Sequence, residues 1–182
     1  MKNLIVALFL LTFRLSFAQT TTTDTLAVHS IEGIVNQGFE MLSNINGDIS
    51  SLDRMRELYL PDARFTILYH PNDSFPVAYE SVSLNEFFEY MKEEHEYYEK
   101  GFVQYEIGKV INEYNGIANV FQSFYAKDSD NEEARGISSY QLIYFDDRWW
   151  ISDVLWTANT NGVKIPEKYL TNQKDNATKP TR

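Results

Sequence analysis

The fold is decided by one stretch of sequence, 102-FVQYEIGKVINEYNGIANVFQSFYAKDSDNEEARGISSYQLIYFDDRWWISDVLWT-157, in which apolar and polar residues alternate with a period of two. Such alternation is typical of β-strands. Short turn sequences interrupt it at Asn115-Gly116 and Asp146-Asp147, and Asn-Gly is a strong hairpin signal. The stretch therefore predicts consecutive antiparallel strands at four positions: Phe102 to Glu113, Ile117 to Lys127, Ala134 to Phe145 and Trp149 to Thr157.

The first part of the chain has the apolar spacing of helices. Residues three and four positions apart predict a helix from His29 to Ser43 and a shorter one from Ser51 to Leu60, which Pro61 ends. The segment from Asp62 to Tyr69 alternates instead, and it predicts a strand.

A long helix is predicted from Leu84 to Lys100, because its apolar residues fall on one side. Ser83 and Glu86 stand at the spacing of a capping box, which marks its start. Helices followed by a run of hairpins predict an α+β domain, with N-terminal helices packed on one face of a mainly antiparallel sheet.

The N-terminus has the three parts of a secretory signal peptide: a positive charge at Lys2, an apolar run from Leu4 to Phe13, and small residues at Ser16 and Ala18. Cleavage is expected before Gln19. The apolar run is too short to cross a bilayer, which takes about 20 residues. We therefore expect an exported protein, periplasmic or extracellular after cleavage.

Composition limits the domain organisation and the partners. Residues 1–18 are predicted as signal peptide, 19–28 as a disordered linker, 29–170 as one domain and 171–182 as a polar tail. The absence of cysteine excludes a lipid-anchored lipoprotein, a disulfide and a thiol nucleophile. The formal net charge of −10 disfavours nucleic acid and membrane surfaces as partners.

Apolar residues occur on both faces of the predicted strand from Ala134 to Phe145. The helices can cover only one face of the sheet. Because a second subunit is a common cover for the other face, the pattern predicts a homodimer through the sheet.

Two segments of this chain resemble the NTF2-like superfamily (the cystatin-like α+β cone), and in particular its SnoaL-like branch. They are 58-LYLPDARF-65, where the second helix runs into a strand, and the terminal hairpin 140-YQLIYFDDRWWI-151. The resemblance implies a strongly curved sheet that forms a cone, with a pocket whose mouth lies near the helices. Members of the family include dehydratases, isomerases, cyclases, hydrolases and non-catalytic binders, so the resemblance implies no single activity.

Asp153 is the first candidate for chemistry. Strand alternation places it on the face of Trp149, Ile151 and Leu155, where burial would raise its pKa and suit it to proton transfer. The resemblance points the same way, because SnoaL-like cyclases place a catalytic acid on a late strand. The alternative is a structural aspartate that binds a backbone amide or an arginine.

Two histidines are further catalytic candidates. His95 lies on the apolar side of the long helix, and His70 ends the first strand; either could exchange a proton with Asp153. The alternative is a histidine at the core margin for His95 and a loop residue for His70. His95 and Glu99 have the spacing of two metal ligands, but a catalytic zinc needs three protein ligands, so neither a metal nor a cofactor is expected.

Aromatic residues are numerous, with 12 Tyr, 12 Phe and 3 Trp. They could line a pocket for a flat apolar ligand and offer hydroxyl or indole donors to it. Packing in the core and in a dimer would explain many of them equally well. The residues predicted to bind a ligand are Tyr69, Tyr79, Met91, Tyr140 and Trp156.

Three hypotheses follow for the function. The first is a domain that binds a small apolar or aromatic molecule in its cone. The second is a cofactor-free lyase, isomerase or cyclase that uses Asp153 with a histidine. The third is a structural dimer whose pocket is filled by side chains.

Overall fold

The computed structural model describes residues 26–43, 50–70, 76–94, 102–128 and 130–170. The predicted signal peptide, most of the linker and the polar tail lie outside these ranges, so export stays a prediction. In the described part of the chain, no helix is long and apolar enough to span a bilayer. Its elements are α1 (Ile31–Ser43), α2 (Ser50–Arg56), β1 (Tyr59–Tyr69), β2 (Ala78–Ser83), α3 (Leu84–Glu93), β3 (Val103–Tyr114), β4 (Ile117–Lys127), β5 (Glu133–Phe145), β6 (Arg148–Ala158) and a 3₁₀ turn (Glu167–Tyr169).

The described strands form one sheet in the order β2-β1-β6-β5-β4-β3. All neighbouring pairs are antiparallel except β1 and β6, which are parallel. The predicted run of hairpins and the α+β class with helices on a mainly antiparallel sheet are confirmed. The parallel pair and the short edge strand β2 were not predicted, because neither follows from alternation within one segment.

The capping box of α3 is present. The Ser83 hydroxyl accepts a hydrogen bond from the Glu86 amide at 3.3 Å, and the Ser83 amide donates to Glu86 Oε2 at 2.8 Å. The predicted C-terminal end of this helix, at Lys100, is wrong, because α3 ends at Glu93 and Glu94 has a ψ of 15°. Residues 95–100 lie outside the described residues.

Helix α2 also ends earlier than predicted, at Arg56 instead of Leu60. The reason is tertiary: the Ile151 amide of β6 donates to the Leu58 carbonyl at 3.0 Å, and Tyr59 pairs with Ile151 in register. Pro61 lies inside β1, where the register with β6 shifts, and such irregularities are where strands tolerate proline.

The core lies between the helices and one face of the sheet, which we call the inner face and which carries Val120, Tyr140 and Val154. Ile34 and Val35 of α1 are fully buried against it. The packed region begins before α1, because Val28 is 6% exposed and its carbonyl accepts a hydrogen bond from the Trp149 amide at 2.8 Å. The predicted linker, 19–28, therefore overlaps the packed domain at its C-terminal end.

The opposite, outer face of the sheet is partly covered by the chain itself. Tyr169 stacks on Phe121 of β4 with 5.2 Å between the ring centroids. Gly108 of β3 permits this close approach, because a Cβ there would lie only 2.4 Å from the Tyr169 carbonyl oxygen. The segment around the 3₁₀ turn thus covers the outer face at Gly108 and Phe121.

A candidate ligand-binding cone

A cavity of about 390 Å³ lies between the inner face of the sheet and the three helices. Most of its lining side chains are aromatic or aliphatic, and four small residues leave the space open. The aromatic ones are Phe39, Tyr59, Phe65, Phe87, Phe102, Phe124, Tyr140 and Trp156; the aliphatic ones are Leu42, Met55, Ile67, Met91 and Val154; the small ones are Gly38, Ala126, Ala134 and Ala158; Gln104 and Ser138 are polar. This volume and lining are typical of sites for small organic molecules.

One wall of the cavity is a set of packed aromatic rings. Phe65 of β1 and Phe87 of α3 are stacked, with 3.8 Å between centroids and 1° between planes. Trp156 of β6 meets Phe87 edge to face at 6.3 Å, and Tyr59 lies 5.0 Å from Phe65. Because each ring is held by its neighbours, the wall is preorganised for a flat apolar surface.

Two tyrosines and a serine give the cavity a polar part. Tyr140 and Tyr59 are 7% and 4% exposed. Burial raises the pKa of Tyr140; its hydrogen bond with Ser138 acts in the opposite direction, and the negative charge of Glu106 adds to the rise. Burial likewise raises the pKa of Tyr59, and Tyr140 raises it further. Both hydroxyls therefore stay protonated at neutral pH and remain hydrogen-bond donors.

A charged network around the buried Lys109 lies on the inner face beside the cavity. Glu106 Oε2 accepts a hydrogen bond from Gln122 Nε2 at 2.6 Å and lies 3.0 Å from Lys109 Nζ. Lys109, which is 6% exposed, also donates to Asn36 Oδ1 of α1 and lies 3.8 Å from Glu32. The network thus joins α1 to β3 and β4 and compensates the buried ammonium group.

Alternation along β3 does not place Glu106 and Lys109 together, because they differ by three positions. The register does so: Glu106 pairs with Phe124 and Lys109 with Gln122, with a shift between Glu106 and Gly108. This bulge adds one residue to β3 and turns both charged side chains to the inner face. The network was missed from sequence for that reason, since no local pattern marks the bulge.

A second bulge changes the position of Asp153. In the β5–β6 register Leu142 pairs with Ile151 but Gln141 pairs with Asp153, so Ser152 is the additional residue. Trp149 and Ile151 therefore share the inner face with Val154, while Asp153 points to the outer face together with Leu155. The prediction that Asp153 shares a face with Trp149 and Ile151 is wrong for this reason, and Asp153 is not among the described residues that line the cavity.

The other two catalytic candidates are not placed in the cavity either. His95 lies outside the described residues, so its position stays a prediction. His70 is half-buried at the end of β1, where its carbonyl accepts a hydrogen bond from the Thr160 hydroxyl, and it is not among the lining residues. The described part of the chain brings no three His, Asp or Glu residues into a possible metal site.

The predicted ligand-binding residues divide into two groups. Met91, Tyr140 and Trp156 line the cavity. Tyr69 is 42% exposed and donates a hydrogen bond to Glu80 at 3.3 Å, and Tyr79 is 76% exposed on the outer face; neither lines the cavity. Other lining residues, such as Phe65 and Phe87, were not predicted to bind a ligand; they come from the apolar sides of β1 and α3.

Solved structures with the same architecture include three bacterial proteins. An NTF2-like protein of unknown function from Pseudomonas putida has a TM-score of 0.54 and 8% identity, and the match covers 70% of this chain and 82% of the Pseudomonas chain. A "putative ketosteroid isomerase" from Shewanella frigidimarina has a TM-score of 0.50 and 20% identity, covering 73% and 95%. A protein of unknown function with a cystatin-like fold from Nostoc punctiforme has a TM-score of 0.50 and 8% identity, covering 70% and 87%.

No protein-family model matches the chain, and no curated protein matches it. At identities of 20% or below, these structural matches concern the fold alone.

Proposed function

Because the chain has the NTF2-like, cystatin-like fold that its sequence resembles, we propose that its cone binds a small, flat, largely apolar molecule carrying one or two hydrogen-bonding groups. The observation that carries this proposal is the open cavity of about 390 Å³ with a preorganised aromatic wall. A cavity filled by side chains, as in a purely structural dimer, would not leave this space.

The polar part of the cavity supports a ligand with a hydrogen-bond acceptor. Tyr140 and Ser138 line the cavity together, and the Tyr140 hydroxyl is a protonated donor at neutral pH. The hydrogen bond from Ser138 lowers the Tyr140 pKa and so is accepted by the Tyr140 oxygen, which leaves the Tyr140 O–H as a donor and favours a ligand that accepts a hydrogen bond over a fully apolar one. The rest of the ligand would contact the aromatic wall.

The alternative of a cofactor-free lyase, isomerase or cyclase rested on a pair formed by Asp153 and a histidine. Asp153 points to the outer face, away from the cavity, and His70 does not line it. The observed geometry therefore favours binding over proton transfer by this pair. The protein from Shewanella frigidimarina is named as an isomerase, but its similarity to this chain concerns the fold alone and does not support the isomerase hypothesis further.

Filling the cavity should abolish binding. Ala134 lies on β5 in register with Ala126, and both line the cavity. In Ala134→Phe the added ring would occupy the ligand volume. We therefore expect the affinity for 2-naphthol, a flat aromatic alcohol, to fall at least about tenfold. This is a loss of about 1.4 kcal/mol of binding free energy, as expected when apolar contacts with the ligand are lost. Isothermal titration calorimetry of wild type and variant measures this, with a negative heat-capacity change expected for the wild type.

The matched control is Ile137→Phe, which adds an aromatic ring to the outer face of the same strand. It should leave 2-naphthol binding unchanged. Failure of the wild type to bind 2-naphthol, or equal loss in both variants, would contradict the proposal. Circular dichroism of both variants checks that they are folded.

We also propose that the chain forms a homodimer through the outer face. The segment around the 3₁₀ turn covers the outer face at Gly108 of β3 and Phe121 of β4, whereas Leu68 of β1 and Leu155 of β6 remain 39% and 51% exposed. The wild type should sediment as a dimer at micromolar concentration. Leu155→Glu would place a charge in this apolar interface, so the variant should sediment as a monomer. Tyr90→Glu, on the exposed side of α3, is the control that should stay dimeric. A monomeric wild type would refute the dimer.

A further inference from the structure

The polar part of the cone is built from two hydroxyl groups that are bonded to each other. Ser138 and Tyr140 are two residues apart on β5, so both side chains lie on the inner face, where both line the cavity. They are 6% and 7% exposed. Their hydroxyl groups share a hydrogen bond. A ligand in the cone therefore meets a bonded pair and not two separate hydroxyl groups.

The pair presents one donor and one acceptor to the cavity. A hydroxyl group has one O–H and two lone pairs, so two hydroxyls that share one hydrogen bond keep one O–H between them. Burial raises the pKa of Tyr140, whereas the hydrogen bond from Ser138 lowers it, so Ser138 is the donor within the pair. The Tyr140 O–H is then left to donate into the cavity, and the Ser138 oxygen is left to accept.

A second buried acceptor lies beside the pair. Gln122 of β4 is opposite Ser138 in the register and is fully buried. Its amide nitrogen donates to Glu106 at 2.6 Å, but its amide oxygen has no hydrogen-bond partner among the described residues. Buried polar atoms are normally paired, because an unpaired one costs free energy. The surroundings of Ser138 thus lack a donor, and a ligand with an O–H group supplies one.

The charge around the cone disfavours an anion. Among the described residues, none of those that line the cavity is charged. The nearby network contains two carboxylates, those of Glu106 and Glu32, for the one ammonium group of Lys109, so its net charge is negative. The Glu106 charge acts on the cavity, because it adds to the effect of burial on the Tyr140 pKa. A carboxylate ligand would lose its hydration in the cone and gain no cation in return.

A neutral hydroxyl group fits both conditions. Its oxygen can accept from Tyr140 while its O–H donates to Ser138, which completes a ring of three hydrogen bonds. A ketone or an ether only accepts, so it would use the Tyr140 donor and leave the Ser138 oxygen without a partner. A carboxylate also only accepts, and it brings a charge.

We propose that the cone selects an uncharged flat ring that carries a hydroxyl group, such as a phenol, and that Ser138 and Glu106 determine this specificity. Ser138 accepts from the ligand O–H, Tyr140 donates to the same oxygen, and Glu106 excludes anions. The proposal rests on the proposed function, because it concerns the ligand of the same cavity.

The test compares three ligands with the same ring system, 2-naphthol, 2-methoxynaphthalene and 2-naphthoate, by isothermal titration calorimetry of the wild type at neutral pH. We expect 2-naphthol to bind about threefold to tenfold more tightly than 2-methoxynaphthalene, the effect of one hydrogen bond. 2-Naphthoate should bind at least about tenfold more weakly than 2-naphthol, because its charge is desolvated without a partner.

Two variants test the two specificity residues. Ser138→Ala removes the acceptor, so the affinities for 2-naphthol and 2-methoxynaphthalene should become equal to within about twofold. Glu106→Gln removes the negative charge, so the ratio of 2-naphthol to 2-naphthoate affinity should fall at least about fivefold. Glu89→Gln removes a carboxylate that is 68% exposed on α3 and should change neither ratio. Circular dichroism checks that the variants are folded.

The outcomes distinguish failure of this proposal from failure of the proposed function. Binding of 2-naphthol together with equally tight binding of 2-methoxynaphthalene or 2-naphthoate overturns the hydroxyl specificity and leaves the proposed function in place. Absence of 2-naphthol binding overturns both. An unchanged ratio in a folded Ser138→Ala or Glu106→Gln variant overturns the role of that residue.

Discussion

Replacing Lys109 by methionine should lower the free energy of unfolding by about 1.5 to 3 kcal/mol, less than for a fully buried pair, because the side chains of Glu106 and Glu32 are 21% and 55% exposed. Lys109 is 6% exposed, and its ammonium group lies 3.0 Å from Glu106 and is hydrogen-bonded to Asn36. Its removal leaves the Glu106 carboxylate on the inner face with only Gln122 as a described hydrogen-bond donor. Urea denaturation of wild type and variant at neutral pH measures the change.

The double variant Lys109→Met with Glu106→Gln should recover part of the loss, because it removes the uncompensated negative charge while keeping an oxygen that can accept from Gln122. Lys92→Met is the control for an exposed pair: Lys92 lies 3.7 Å from Asp53 at the surface, and the variant should change stability by no more than about 1 kcal/mol. Equal effects of Lys109→Met and Lys92→Met would show that the network is not a buried stabilising link.

Replacing Phe88 by alanine should cost about 3 to 5 kcal/mol, the range for loss of a buried phenylalanine. Phe88 of α3 is 1% exposed and meets three aromatic rings edge to face, those of Tyr59, Phe65 and Phe87, at centroid distances of 6.1, 6.3 and 5.4 Å. The guanidinium group of Arg56 also lies 5.6 Å from the centroid of the Phe88 ring. The expected loss is therefore near the upper part of this range, measured by urea denaturation.

Tyr90→Ala on the same helix is the matched control. It is 59% exposed, so its removal should change the free energy of unfolding by no more than about 0.5 kcal/mol. A loss below about 1 kcal/mol for Phe88→Ala would mean that α3 is not fixed by its aromatic contacts, and the preorganised wall of the cone would lose its support.

Local sequence predicted the elements whose signals lie within one segment. The capping box of Ser83 and Glu86 starts α3 where expected, because both partners are three residues apart. The turns at Asn115-Gly116 and Asp146-Asp147 join the predicted strands. All four of these turn residues have positive φ, as two-residue hairpins of this kind require. The edge strand β2 was missed, because it is short and depends on pairing with β1.

The sequence predicted fewer features of the site than of the fold. Met91, Tyr140 and Trp156, which the sequence predicts to bind a ligand, line the cavity. Asp153 does not, and Glu106 and Lys109, which form the buried network, were not selected at all. In each case the error or omission concerns which face of a strand a polar residue occupies.

The sequence by itself determined the α+β order of elements, the hairpins and the aromatic content of the core, because alternation, turns and caps act over a few residues. Only the tertiary structure decided which polar side chains lie on the inner face of the sheet and which lie on its outer face. The physical reason is that a bulge exists only as a mismatch between two paired strands. Near Gly108 one extra residue brings Glu106 and Lys109 to the same inner face, and at Ser152 another turns Asp153 to the outer face.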